Sequence, residues 1–141
     1  MTTASEEILA RYNRVEREVD AFGRTIGVRK LRGSQEIRVL GMTADVQAAT
    51  VRALDPQSPG ETMEVSLQNL LVIAASVVEI DGIPVPFARN RAELDAIYDQ
   101  LDREGVAAAA LAMVKLAAED AEDEDAEGGD AMAKVAAKAK K

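Results

Sequence analysis

The sequence predicts a small, mainly helical α+β domain that carries one or two short β-hairpins and ends in a disordered charged tail. A chain of 141 residues has room for one modest hydrophobic core. Hydrophobic residues make up 48% of it but aromatic residues only 3%, so Ala, Leu, Ile and Val must build that core, as in closely packed helices. After residue 118 an acidic run is followed by a lysine-rich run, with too little apolar surface to offset chain entropy. We therefore predict one domain over 1–118 and a disordered tail over 119–141.

The first segment predicts a helix followed by a hairpin. Ser5 and the two glutamates after it are typical of a helix start. Apolar residues then recur at helical spacing at Ile8, Tyr12, Val15 and Val19. From Val15, however, apolar and charged residues also alternate as in a strand, and Asp20–Gly23 is typical of a turn. We favour a helix of about ten residues and then a hairpin within 15–30.

Three helices are predicted in the middle of the chain. Ser34 is the expected cap of the first, and Ala44–Leu54 is helical in composition, although its Val and Thr residues weaken that prediction. The Pro- and Gly-containing segment Asp55–Gly60 predicts a loop. Glu61–Val78 is the most hydrophobic element and follows helical spacing. It is either the central core helix or a helix that partly faces a groove for an apolar helix of another protein.

A second short hairpin is predicted within 77–86. Asp81-Gly82 supplies the positive φ angles that a two-residue type I′ turn requires. Because Pro84 and Pro86 have no backbone N–H to donate, the second strand should be an edge strand or simply extended.

Two helices are predicted after this hairpin. Asn90-Arg91-Ala92-Glu93 matches a capping box. The apolar stripe of the first helix consists of Leu94, Ile97, Tyr98 and Leu101. Gly105 is expected to end it, and Val106–Ala118 is expected to form the next.

The residue types present argue against an enzyme. The chain contains no cysteine and no histidine, which removes thiolate chemistry, the commonest general base and the commonest metal ligand. Carboxylate pairs such as Asp99 with Asp102 are predicted on solvent-facing helix surfaces rather than in a concave site. The acidic run 123–128 lacks the full alternation and the final glutamate of a calcium-binding EF-hand loop. We expect no catalytic residues, no metal and no cofactor.

The charge distribution argues against nucleic-acid and membrane partners. The net charge is −8, which opposes general binding to nucleic acid or to an anionic bilayer. The basic segment Arg24–Arg38 lacks interleaved aromatic residues, so we favour a docking surface for an acidic protein or for the chain's own tail. The longest apolar run, Leu70–Ala75, is far too short to span a bilayer. The first nine residues do not resemble a signal peptide, so the cytosol is the expected compartment.

Partner contact is predicted at two places, the apolar helix and the proline-flanked hairpin, because exposed apolar surface marks interaction sites. The candidate partner-binding residues are Leu67, Leu70, Leu71, Val78, Ile83, Pro84, Pro86 and Phe87.

Three short motifs follow one another within Ala74–Gly105. They are Ile80-Asp81-Gly82, then Pro84-Val85-Pro86-Phe87, then Asn90-Arg91-Ala92-Glu93. This order resembles the C-terminal signature of tail assembly chaperones from long-tailed bacteriophages and related prophages. Upstream, Asp20–Leu40 is similar to the Gly-Arg hairpin, basic connector and helix of the same family. The resemblance covers residues 15–118 and does not include the charged tail.

The resemblance implies a non-enzymatic protein in the cytoplasm of the bacterial host. Proteins of this family coat the long helical tape-measure protein until tail-tube protein polymerises around it. They are often made in short and frameshift-extended forms, and the extension recruits tube subunits. The implied partners are therefore the tape-measure protein and the tail-tube protein, with self-association as a further option. Two alternatives remain open: a structural tail or connector component that stays in the virion, and a small nucleic-acid-binding regulator.

Overall fold

The structure, a computed structural model, describes residues 3–58 and 60–139, with side chains through residue 122. It confirms a mixed α+β fold, and the described chain forms four α-helices and six short strands. In chain order these are α1 (Ala4–Asn13), β1 (Val15–Val19), β2 (Thr25–Arg29), α2 (Gly33–Met42), β3 (Thr50–Leu54), β4 (Thr62–Ser66), α3 (Leu67–Ala75), β5 (Val77–Ile80), β6 (Ile83–Pro84) and α4 (Arg91–Ala139). A short 3-10 turn at Ala44–Val46 lies between α2 and β3.

Four of the strands form one antiparallel sheet in the order β1–β2–β5–β6. The remaining two, β3 and β4, pair only with each other. α4 packs against β1 and β2, and α3 packs against α4. The core therefore lies between the four-stranded sheet and these two helices.

The core has the composition that the sequence predicts. The fully buried hydrophobic residues of the described chain are Ile, Val, Leu and Ala alone. Leu94 and Leu101, from the predicted stripe of α4, are completely buried, and Ile97 lies between them with almost no exposure. Ala109 and Ala112 follow on the next turns. These small side chains let α4 approach its neighbours closely.

Both predicted hairpins are present, and each is fixed by its turn. In the first, the Asp20 carboxylate accepts hydrogen bonds from the backbone N–H groups of Phe22 and Arg24, at 2.9 and 2.8 Å. In the second, Asp81 and Gly82 have φ angles of 53° and 77°, as a type I′ turn requires. β6 lies at the edge of the sheet, which agrees with the lack of a donor at its proline.

The starts of the first two helices differ from the prediction. Thr3, not Ser5, caps α1, and its hydroxyl oxygen accepts from the backbone N–H of Glu6 in a reciprocal capping box. α2 starts at Gly33, so Ser34 lies within the helix and does not cap it.

Two predicted helices are wrong in whole or in part. The predicted helix Ala44–Leu54 is the 3-10 turn followed by β3, since Thr50 and Val51 favour a strand. The predicted helix Glu61–Val78 is divided into β4, α3 and the start of β5. The intervening loop is confirmed, and it closes the β3–β4 hairpin with a hydrogen bond from the Asp55 N–H to the Glu61 carbonyl at 3.0 Å.

α4 is broken near the point where the sequence predicts two helices. The break is at Asp102, with φ 57° and ψ −175°, and not at Gly105. Arg24 satisfies the carbonyl oxygens of Gln100 and Leu101 before the break, at 2.7 and 2.5 Å. Gly105 allows the Arg24 guanidinium to lie close to the backbone of α4, because a Cβ at this position would lie 3.0 Å from the guanidinium.

α4 does not end at the predicted boundary of Ala118, and its backbone is helical to Ala139. Arg14 contacts the carboxylates of Glu119 and Asp120 at 3.4 and 3.7 Å, and Lys30 contacts Asp120 at 3.6 Å. Lys30 of the basic segment therefore contacts the start of the chain's own acidic run, as does Arg14 from outside that segment. The side chains of residues 123–139 and the whole of residues 140 and 141 lie outside the described part, so the prediction of a disordered tail stays a prediction there.

Candidate protein-binding grooves

A short extended segment leaves the sheet after β6 and lies beside the first turns of α4. β6 pairs with β5 over only two residues, because Pro84 and Pro86 cannot donate to a longer ladder. The Val85 N–H donates to the Val78 carbonyl at 2.8 Å and holds the segment against β5.

The start of α4 forms the other wall. The Asn90 side-chain oxygen accepts from the backbone N–H of Glu93 at 2.9 Å, which confirms Asn90 as the cap. The Glu93 carboxylate binds the N–H of Arg89 rather than that of Asn90, so the predicted capping box is completed one residue earlier.

The space between this segment and α4, here called the proline groove, has a volume of about 760 Å³. Its apolar lining consists of Ile80, Ile83, Pro84, Val85, Pro86, Phe87, Ala96 and Ile97. Ile83 is 68% exposed. A concentration of apolar side chains on the surface is typical of a protein-binding site.

The charges at the rim of the proline groove are already satisfied. Arg89 donates to the Glu93 carboxylate from its guanidinium at 3.0 Å and from its backbone N–H at 2.7 Å. The backbone bond first, and then the guanidinium, hold the pKa of Glu93 below its ordinary value. Asp81 accepts from the N–H of Thr25 at 2.9 Å. This arrangement suits binding by apolar contact and shape rather than proton transfer.

The proline groove brings together four of the eight predicted contact residues, namely Ile83, Pro84, Pro86 and Phe87. Val78 lies in a smaller cleft of about 280 Å³ behind the same segment, and Lys30 and Gln35 are part of the lining of that cleft. Four of the predicted residues therefore line the proline groove, and Val78 of β5 lines the cleft behind it.

The three predicted contact residues of α3 do not join this surface. Leu71 is 2% exposed, so its side chain is covered by the chain's own core. Leu70 is 5% exposed and Leu67 is half-buried against the core, and neither lines the proline groove. The physical reason is that α2, β4 and α4 all pack on α3, which is the central helix of the core.

A second groove, here called the hairpin groove, lies between the β3–β4 hairpin, α3 and the part of α4 after its break. Its volume is about 430 Å³. Its apolar lining includes Val51, Ala53, Leu54, Met63, Val65, Leu70, Ile73, Val106, Ala110, Met113 and Val114. The charged side chains in its lining are both cationic, Arg52 and Arg103. The sequence prediction missed this groove because it missed the hairpin.

The basic segment offers less free charge than its sequence suggests. Arg24 is bound by Asp20 at 2.7 Å and by two carbonyl oxygens of α4. Lys30 contacts Asp120 and lies 5.1 Å from the centre of the Tyr12 ring. These contacts support a structural role for Arg24 and Lys30 over binding to a phosphate backbone.

The acidic residues of the described chain form no group that could hold a metal ion. Glu16 has a raised pKa, caused first by loss of solvation and then by a hydrogen bond with the carboxyl group of Glu119. Glu16 lies outside the lining of both grooves. Within the part that the structure describes, the helices are all too short or too polar to cross a membrane.

Comparisons with protein-family models, with curated proteins and with solved structures find no match to this chain.

Proposed function

We propose that this chain is a non-enzymatic chaperone or adaptor of phage tail assembly, and that it acts in the cytoplasm of the bacterial host. It holds apolar helical stretches of the tape-measure protein until tail-tube protein replaces it. One observation carries the proposal: the segment Ile80–Glu93, on which the family resemblance rests, also builds the exposed proline groove.

The chemistry of the groove fits an apolar helix as the bound element. Ile83 and the two prolines present a rigid apolar wall, and Ile97 of α4 supplies part of the opposite wall. A helix with an apolar stripe can bury that stripe here, which is a common mode of peptide recognition. Arg89 and Glu93 pair with each other and Asp81 accepts from a backbone N–H, so the groove imposes little demand on the sequence of the bound helix.

Weak binding at each groove is consistent with such a role. A groove of this size gives a small interface, and small interfaces bind transiently. Many copies along one long helical protein would still hold it soluble, because each further contact is effectively intramolecular. Individual copies could then be displaced one after another by the polymerising tube.

Co-expression with the tape-measure protein encoded nearby tests this function. The wild-type chain should keep that protein in the soluble fraction and co-purify with it. The Ile83→Glu variant should lose both effects, because it places a charge on the apolar wall. Ile37→Glu is the matched control, since Ile37 is 73% exposed on α2, away from the groove. If the tape-measure protein is equally insoluble with and without the wild-type chain, the proposal fails.

A further inference from the structure

α1 is a largely exposed helix, and Tyr12 near its end is half-buried, with Lys30 over its ring. It contains no buried residue, and Ile8 and Leu9 are 52% and 50% exposed. Ile8 and Leu9 precede Tyr12 by four and three residues, so the three side chains share one face of the helix. Isolated helices shorter than about 12–15 residues are marginal in water. A ten-residue helix with this apolar face therefore gains stability from a partner surface.

The hairpin groove has the properties of that partner surface. Val51 pairs across the hairpin with Val65, and Ala53 pairs with Met63, so the strands present an apolar wall facing Met113 and Val114 of α4. The hairpin groove is open to solvent, and its volume is large enough to accept several side chains.

The first turn of α1 and the lining of the groove carry opposite charges. The first turn of α1 carries the exposed Glu6, whose carboxylate also accepts from the Thr3 N–H. The groove is lined by Arg52 and Arg103, and neither forms an ion pair with a carboxylate in the part of the chain that the structure describes. This acid at one end of the helix can therefore meet cations at the groove.

We propose that α1 of one protomer lies in the hairpin groove of a second copy of this chain. The attachment of α1 favours a second copy over the protomer's own groove. Arg14, directly after α1, is held at Glu119 and Asp120 of α4. A tethered helix that could reach its own groove would have an effective concentration in the millimolar range and would occupy it. α1 instead stands outside the groove, with Ile8 and Leu9 exposed.

The resulting interface joins two different surfaces. Each protomer offers one helix and one groove, so the contact is head-to-tail and can continue from copy to copy. This inference does not rest on the proposed function. It would, however, repeat the proline groove at regular intervals along an assembly.

The test is the mass of the full-length chain by sedimentation velocity, over concentrations from about 10 to 500 μM, the range expected for a small interface. The wild-type chain should form concentration-dependent oligomers. Ile8→Glu in α1 and Val114→Glu in the groove should each weaken association by roughly tenfold or more, because each places a charge where an apolar contact forms. Ile37→Glu should associate as the wild type does. Met63→Glu, on a different element, serves as a second groove variant if Val114→Glu lowers the melting temperature.

Mixing the two variants gives the most specific result. Ile8→Glu retains an intact groove, and Val114→Glu retains an intact α1. Together they should form a one-to-one dimer that grows no further, while each alone remains a monomer. A wild-type chain that stays monomeric at 500 μM would overturn the proposal, whether α1 occupies its own groove or the groove serves another protein. A groove variant that associates as strongly as the wild type would also overturn it, because that result indicates a symmetric contact between helices.

Discussion

Replacing Arg24 with methionine should destabilise the fold more than any exposed substitution of the same kind. Arg24 joins the turn of the first hairpin to the break in α4. It donates to the Asp20 carboxylate at 2.7 Å and to the carbonyl oxygens of Gln100 and Leu101. Methionine keeps much of the side-chain volume and removes all three of these hydrogen bonds.

The expected loss follows from burial. The Asp20 side chain is fully buried, and Arg24 supplies its positive partner. Removing one member of a buried ion pair typically costs about 3–5 kcal/mol, because the remaining charge is left without compensation. The two carbonyl oxygens at the break lose their donor as well. We expect a loss of about 3–5 kcal/mol, a large part of the roughly 5–15 kcal/mol that stabilises a domain of this size.

Urea unfolding at pH 7, followed by circular dichroism, measures this loss. Arg38→Met is the matched control, since Arg38 is exposed on α2, and it should change stability by no more than about 0.5 kcal/mol. Asp20→Asn keeps the turn acceptor and removes the charge, so a double-mutant cycle with Arg24→Met should show a coupling of about 1–3 kcal/mol. A loss below about 1 kcal/mol for Arg24→Met would refute the reasoning, because no buried ion pair would then be at stake.

Three further predictions test other parts of the account. Gly105→Ala should lower the free energy of unfolding by about 1–3 kcal/mol, since its Cβ would lie 3.0 Å from Arg24 and 3.1 Å from the Leu101 Cβ. Gly41→Ala, in open space within α2, should instead raise the free energy of unfolding by about 0.5–1 kcal/mol. Equal urea midpoints for the two variants would count against the close approach of Arg24 and Leu101 to Gly105. Glu16 has a raised pKa in the folded state, so its protonated form favours folding, and this contribution is lost as the pH rises from 4.5 through the folded pKa. The wild type should therefore lose stability relative to Glu16→Gln over that pH range. A stability difference between the two that does not change with pH would contradict the raised pKa of Glu16. Mass spectrometry of purified mature phage tails should not detect the chain, whereas stoichiometric amounts would favour the structural tail component.

The elements predicted from sequence are those whose signals are local. The Asp81-Gly82 turn, the Asn90 cap and the Leu94–Leu101 stripe each lie within one or two turns of chain, and all three are present. The surface position of four groove residues in the proline-flanked segment could be predicted for the same reason, because the turn and the prolines themselves place these residues on the surface.

The β3–β4 hairpin could not be predicted in the same way. Its strands are five residues each, and the helical spacing of α3 continues by chance into β4. The hairpin groove depends on contact between residues 51–65 and residues 106–114, which no local pattern encodes. The break at Asp102 likewise depends on Arg24, 77 residues from the carbonyl of Leu101 that it binds.

The most direct test of the proposed function is site-specific crosslinking in the co-expressed complex. A photo-crosslinking amino acid in place of Ile83 should form an adduct with the tape-measure protein, because Ile83 lies in the proline groove. The same amino acid in place of Ile37, which is equally exposed on α2, should not. Adducts of equal yield from both positions, or adducts from Ile37 alone, would contradict the claim that the proline groove holds the helical partner.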